Sequence, residues 1–179
     1  MRRIGAAMKT ARGTRTAKWL SDRTDELGYR VSPTVIAKLD SGHRGDVLSV
    51  PECIVLAIAL DIAPTALLYP GPYEQEIELV PGVEATELLA AQWFSGIHDR
   101  PIPVTGANFY QYRQNMRPLR DARTLLELQD RKRFLLSTIR DLGKSADDQL
   151  TRKNLTDELV RVESDIDRYR EPIEGESDG

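Results

Sequence analysis

The 179-residue sequence has one cysteine, two histidines, 6% aromatic residues and no long apolar segment. The lone Cys53 excludes an intramolecular disulfide and a zinc site built on a thiol pair. No segment approaches the roughly 20 apolar residues of a transmembrane helix. Neither histidine has a metal-ligand neighbour at useful spacing, and no Gly-rich phosphate loop follows a strand pattern. We therefore expect a cytoplasmic protein that is not an enzyme and has neither cofactor nor metal.

Charge is segregated along the chain, although the net charge is only −3. Residues 1–50 hold ten Lys and Arg against five acidic residues, whereas residues 51–110 hold one against eight. The remainder is close to neutral. Such a basic N-terminal segment favours a polyanionic partner, with an ordinary solvated surface as the alternative.

Residues 1–70 have the pattern of five short helices. Gly13 and Gly28 follow two of them, and Thr14 or Thr16 can cap the second. The segment "PECIVLAIALD" is apolar nearly all round, so we expect it to be the central buried helix. An all-α domain is predicted over 1–70.

The segment "VSPTVIAKLDSG", residues 31–42, predicts a short capped helix. Ser32 is the N-cap, Pro33 suits the first helical position, and Gly42 ends the helix. Its apolar face is formed by Val35, Ile36 and Leu39. Its outer face has no bulky groups and consists of Pro33, Thr34, Ala37, Lys38 and Ser41. This pattern fits either an amphipathic core helix or a helix whose outer face contacts a partner.

Beyond residue 70 the composition changes. Residues 71–115 predict an acidic linker in which "EIELV" forms a short edge strand and residues 84–96 form an amphipathic helix. Residues 116–171 contain two heptad seams broken at "LGKSADD", which predict a helical hairpin or coiled coil. The first seam has one polar residue, Lys132, among its apolar positions, and the second seam ends at Tyr169. The acidic tail, residues 172–179, is expected to be disordered.

Three blocks of residues 1–69 resemble the lambda-repressor/Cro-like helix-turn-helix family, also called XRE. The long connection before the third helix and the "LLYP" after the domain resemble members of the actinobacterial or phage type. The family's third helix follows the pattern Val-Ser-x-x-Thr-Ile-Ser-Arg-Ile-Glu-x-Gly, and residues 31–42 match it in order. "LAIALDI" matches its Ile-Ala-x-Ala-Leu-Gly-Val, and "ARGTRTAKWLS" matches its Arg-x-Gly-x-Thr-Gln-x-x-Leu-Ala. The resemblance implies a five-helix lambda-repressor-like DNA-binding domain.

The sequence departs from the family in two places. In the family, the Thr of the second helix is followed by a Gln that usually contacts DNA. Ala17 stands at this position here, so this DNA contact is not carried over. The stretch "DRTDELGYR" makes the connection to the third helix longer by about five residues than the tight turn of such motifs. The second helix is therefore extended, or the turn is not a tight one.

The resemblance also implies the DNA-binding residues. Thr16 and Ser32 would bond phosphates near helix N-termini, and Arg15, Arg30, His43 and Arg44 would add positive charge along the backbone. Base edges would face the outer side of the third helix, with Lys38 directed at guanine and Pro33 and Thr34 at thymine methyls.

These expectations define a sequence-specific transcriptional regulator, a repressor, that binds double-stranded DNA as a homodimer through its C-terminal helices. The alternative is an interaction protein in which the coiled coil is the working part and the helix-turn-helix domain binds a protein. The segment 72–115 is also a candidate ligand or partner site, with packing as the alternative, because it holds several aromatic residues: Trp93, Phe94, Phe109, Tyr110 and Tyr112.

Overall fold

The structure is a computed structural model that describes residues 2–42 and 47–170. The chain divides into two compact units, Met1–Phe109 and Tyr110–Gly179. The described residues are mostly helical, and they also contain one two-stranded sheet that an all-α expectation leaves out. The predicted disordered tail lies outside the described residues.

Five helices occupy the first part of the N-terminal unit: α1 (Arg2–Arg12), α2 (Ala17–Glu26), α3 (Pro33–Asp40), α4 (Val50–Ala59) and α5 (Pro64–Leu68). Polar side chains cap three of them. Thr16 begins α2, Ser32 begins α3, and Ser49 with Glu52 forms a reciprocal capping box at α4. α1 packs on α3 and α5, and α2 packs on α3 and α4.

One apolar cluster holds these helices together. Its buried members come from all five helices, from the connection before α3 and from the residue after α4: Met8, Leu20, Val31, Ile36, Leu39, Cys53, Val55, Leu56, Ala59, Leu60 and Leu67. Each large aliphatic side chain contributes about 1.5–3 kcal/mol when it is removed from water. Burial also raises the pKa of the Cys53 thiol, which keeps it protonated, so that it packs as a small apolar residue.

The expectation that α4 is the central buried helix holds for only one of its faces. One face supplies Cys53, Val55 and Leu56 to the core, but Val50 is 72% and Ile58 51% exposed. Only two of the five helices, α2 and α5, pack closely on α4, so its remaining face has no cover from the described part of this unit.

A small hairpin module follows α5. Strands β1 (Glu76–Val80) and β2 (Val83–Thr86) pair antiparallel, with Ile77 opposite Ala85 on the buried face. The predicted edge strand is thus confirmed, but the predicted helix starts later than residue 84. Residues 83–86 belong to β2, and α6 (Glu87–Phe94) begins after them, with Thr86 as its N-cap.

The C-terminal unit contains α7 (Phe109–Asp141) and α8 (Ala146–Arg170). α7 begins before residue 116 and includes part of the segment predicted as linker. The two helices bury a common apolar seam centred on Leu135, Val162 and Ile166, whereas Tyr169 is exposed. The break falls where "LGKSADD" predicts it, and the Ser145 hydroxyl accepts a hydrogen bond from the Asp148 amide at the start of α8.

Ionic contacts link α7 to α8. Lys132, in the polar slot of the first seam, pairs with Glu163 at 2.7 Å, and Arg131 pairs with Glu158 at 2.6 Å. Arg152 on α8 donates to the carbonyls of Ile139 and Leu142, which satisfies the end of α7. The seam is therefore occupied within one chain.

Candidate nucleic-acid interface

α3 is a short helix fixed at both ends. The Ser32 hydroxyl accepts a hydrogen bond from the Val35 amide, and Pro33 occupies the first turn. At the other end, the Ser41 hydroxyl donates to the Lys38 carbonyl, and Gly42 adopts a positive φ of 69°. These caps end the helix after eight residues.

The two faces of α3 differ sharply. Ile36 and Leu39, three residues apart and so on one face, are almost fully buried, whereas the side chains one and two positions away from them lie on the opposite side, toward solvent. The exposed set is Thr34, Ala37, Lys38 and Ser41. Pro33 is only half-buried, so it presents part of its ring at the edge of this face. We call these five residues the outer face of α3.

Two cations near the outer face are uncompensated. Lys38 and Arg30 are exposed, and neither side chain makes a hydrogen bond or ion pair with any described residue. By contrast, Lys18 and Arg23 on α2 pair with carboxylates of their own helix. Free positive charge therefore lies on α3 and just before it, whereas these two cations of α2 are paired.

Arg15 is exposed but is already engaged with α1. Its Nε donates to the Arg12 carbonyl at 2.9 Å and its Nη2 donates to the Ala11 carbonyl at 3.1 Å. The guanidinium also lies 4.1 Å from the centre of the Trp19 ring. Only Nη1 makes no hydrogen bond with a described residue. Arg15 therefore has fewer N–H donors available for binding an anion than its exposure indicates.

Thr16 and Ser32 are both N-caps, as the sequence predicts. Thr16 Oγ1 accepts from the Trp19 amide at 3.0 Å, just as Ser32 Oγ accepts from Val35. Each hydroxyl uses a lone pair for the cap and keeps its own proton for an outside acceptor. Both sit at positive helix ends, where phosphate is favoured. The predicted His43 and Arg44 lie outside the described residues.

A buried ion pair ties α3 to α1. Arg12 Nη2 lies 2.7 Å from Asp40 Oδ2, and Nη1 donates to Oδ1 at 3.3 Å. The two side chains are 8% and 18% exposed, and Arg12 Nε donates to the Arg15 carbonyl. This fork geometry fixes the C-terminal end of α3. The sequence predicts Asp40 on the third helix, but no local pattern indicates this pairing.

α1 and α3 also approach each other at their backbones. A Cβ added at Gly5 would lie 2.0 Å from the Leu39 carbonyl oxygen, closer than any side-chain carbon can stand. Gly5 therefore permits the contact between these helices. Together with the ion pair, this contact makes α3 a firmly supported element rather than a loose surface helix.

The connection between α2 and α3 spans six residues, Leu27 to Ser32. It begins with a Schellman motif: Gly28 has a φ of 82°, its amide donates to Asp25, and the Tyr29 amide donates to the Thr24 carbonyl. α2 runs to Glu26, and the turn begins directly after it. The turn is longer than the three or four residues of a tight helix-turn-helix.

The aromatic residues of 72–115 are divided between the two units. Trp93 and Phe94 lie on α6, and the Phe94 ring meets Tyr69 edge-on at 5.7 Å. Tyr110 and Tyr112 belong to the C-terminal unit, on α7. Within the N-terminal unit, the Phe94 contact supports packing rather than a ligand site.

The chain matches no protein-family model, no curated protein and no solved structure. Among the described residues, no His, Cys, Asp and Glu side chains gather in the threes that a metal ion needs. None of the helices in residues 2–42 and 47–170 combines the length and apolar character required to cross a bilayer. Its function is therefore inferred from its own residues.

Proposed function

We propose that this protein is a sequence-specific DNA-binding transcriptional regulator, a cytoplasmic repressor of the lambda-repressor-like helix-turn-helix class. In this proposal the outer face of α3 enters the major groove. The observation that carries it is the combination of an exposed, thin helix face with two uncompensated cations, on a helix held firmly from behind.

The chemistry of the outer face suits base edges. Lys38 offers three donors to the O6 and N7 acceptors of guanine, and the Thr34 and Ala37 methyls suit a thymine methyl. Small groups between them let the helix approach the groove floor. Arg30, Thr16 and Ser32 supply phosphate contacts from three points around α3, and these fix its register on the duplex.

Lys38→Ala is expected to change which bases are preferred and to lower affinity for the best site by about 1–3 kcal/mol. Arg44→Ala is expected to weaken binding to all sequences alike and to reduce the slope of log K against log salt by about one. Selection from a random duplex pool, followed by titration at several salt concentrations, measures both effects.

The matched control is Lys153→Ala, which removes an exposed lysine from α8 in the other unit. It should leave site preference and affinity unchanged. If Lys38→Ala selects the same sites as the unchanged protein, the outer face of α3 is not the recognition surface. Absence of binding to any duplex at low salt would remove the DNA proposal altogether.

A single α3 contacts only a few base pairs, so we also propose a homodimer through α7 and α8. Their shared seam is filled within one chain, so the second chain must use other surfaces. Both helices carry exposed apolar side chains outside that seam: Leu119, Leu126, Phe134, Leu150 and Val160. A partner helix can bury these residues.

The dimer proposal predicts that the full chain sediments as a dimer and that a chain ending at residue 108, before α7, sediments as a monomer. Cutting there avoids leaving a stub of α7. Affinity of the shortened chain for a duplex with two half-sites should fall by a hundredfold or more. The second domain is then no longer held near its half-site by the first, so the two domains must bind independently. A dimeric 1–108 chain would move the contact to the N-terminal unit.

A protein-interaction role is the second candidate, and the exposed face of α4 favours it. Val50, Ile54 and Ile58 form an apolar stripe of the kind that often marks protein contacts. Gel shifts at two salt concentrations separate the candidates, because DNA binding must weaken steeply as salt rises and apolar association must not.

A further inference from the structure

Thr24, in the last turn of α2, is a buried polar residue that bonds to the connection leading to α3. Its side chain is fully buried, and its hydroxyl makes two hydrogen bonds. Oγ1 donates to the Ser21 carbonyl at 2.8 Å and accepts from the Val31 amide at 2.9 Å. The Thr24 carbonyl accepts from the Tyr29 amide at 3.1 Å. One residue of α2 therefore satisfies two amides of the connection to α3.

Val31 is the buried residue of the connection between α2 and α3, and it lies just before the start of α3. Its side chain is 3% exposed and lies in the core, and it directly precedes the N-cap Ser32. Fixing the Val31 amide therefore fixes where α3 begins. The preceding residues cannot do this themselves, because all four from Leu27 to Arg30 are exposed.

Loss of the hydrogen bond donated by the Val31 amide would be strongly destabilising. A buried amide without an acceptor costs more than the bond itself contributes, so the chain would move until the amide found another partner. Movement at Val31 shifts the N-terminal end of α3, whereas the Arg12–Asp40 pair still holds the C-terminal end. The expected result is a rotation of α3 about its far end rather than loss of the helix.

We propose that Thr24 is a positioning residue for DNA recognition: its buried hydroxyl sets the entry of α3 and so aligns the outer face with the base edges. The proposal rests on the DNA-binding function proposed above. It assigns specificity, rather than affinity for DNA in general, to a side chain that cannot touch DNA.

The test compares four variants of the full chain. Thr24→Val keeps the shape and removes the hydroxyl, and Thr24→Ser keeps the hydroxyl. Ser21→Ala is the matched control, since it removes a fully buried hydroxyl of the same helix that has no partner among the described residues. Val55→Ala, in the core on α4, serves as a variant destabilised without touching the connection.

Two measurements are made. The first is hydrogen exchange at the Val31 amide, which should quicken about tenfold or more in Thr24→Val beyond any increase that destabilisation causes in Val55→Ala, and stay near the original rate in Thr24→Ser and Ser21→Ala. The second is the ratio of affinities for a duplex selected by the unchanged protein and for a scrambled duplex. That ratio should fall tenfold or more in Thr24→Val, with little change in scrambled-duplex affinity.

Each outcome is decisive. Unchanged Val31 exchange in Thr24→Val, or loss of the affinity ratio in Thr24→Ser, overturns the role of the hydroxyl. A ratio that falls equally in Val55→Ala reduces the effect to stability and also overturns it. If the unchanged protein selects no duplex, the DNA-binding function itself fails; if it selects one and Thr24→Val keeps the same ratio, only the role of Thr24 fails.

Discussion

Replacing Asp40 with alanine is expected to lower the free energy of unfolding of the N-terminal unit by about 3–5 kcal/mol. The loss is large because Arg12 would keep its charge in a site where its side chain is 8% exposed, with its carboxylate partner gone. Both protein tryptophans, Trp19 and Trp93, lie in this unit. Tryptophan fluorescence during urea unfolding therefore reports on the N-terminal unit alone.

The matched control for this substitution is Asp22→Ala. Asp22 also forms a short ion pair, 2.6 Å from Lys18, but both side chains are well exposed. Its loss should cost no more than about 0.5 kcal/mol. Replacing both members of the buried pair by apolar residues, as in Arg12→Met with Asp40→Leu, should recover most of the lost stability. Equal losses in Asp40→Ala and Asp22→Ala would contradict a buried role for the Arg12–Asp40 pair.

The second large effect is expected for Gly5→Ala. Alanine normally stabilises a helix interior relative to glycine by roughly 0.5–1 kcal/mol. At Gly5 the sign should reverse, because the new methyl would meet the Leu39 backbone at 2.0 Å and force α1 away from α3. We expect a loss of about 3 kcal/mol or more. Urea unfolding followed by tryptophan fluorescence measures it.

Thr10→Ala is the control within the same helix. Thr10 is exposed on α1, and alanine there adds helix propensity without a clash. It should leave stability unchanged or raise it by a few tenths of a kcal/mol. A Gly5→Ala protein as stable as Thr10→Ala would mean that α1 and α3 are farther apart than the Gly5–Leu39 approach requires.

Local sequence signals predict much of this fold. Ser32, Pro33 and Gly42 mark the ends of α3, and Ser145 marks the start of α8, because caps act within a few residues of themselves. The seam of α7 and α8 is predicted by its spacing. The exposed face of α4 is not predicted, because an apolar composition does not say which side finds a neighbour.

The support of the candidate site is hidden from local patterns for a related reason. Arg12 and Asp40 stand 28 residues apart, and each looks like an ordinary charged end of a helix. Thr24 looks like a polar residue in an exposed stretch, and Gly5 looks like a weak helix former. Their roles arise only when α1, α2 and α3 are brought together, so they depend on tertiary contacts. The outer face of α3 is predictable because exposure follows from helical period alone.

The residues that hold α3 in place are different from the residues on its outer face, and this separation affects how the protein can diversify. Thr34 and Lys38 take no part in holding the core, and exposed substitutions of this kind usually change stability by less than about 0.5 kcal/mol. Gly5, Arg12 and Asp40 have no such freedom. Under the DNA-binding function proposed above, descendants of this chain could therefore acquire a new target preference by single replacements on one helix face, while the scaffold behind that face remains as it is.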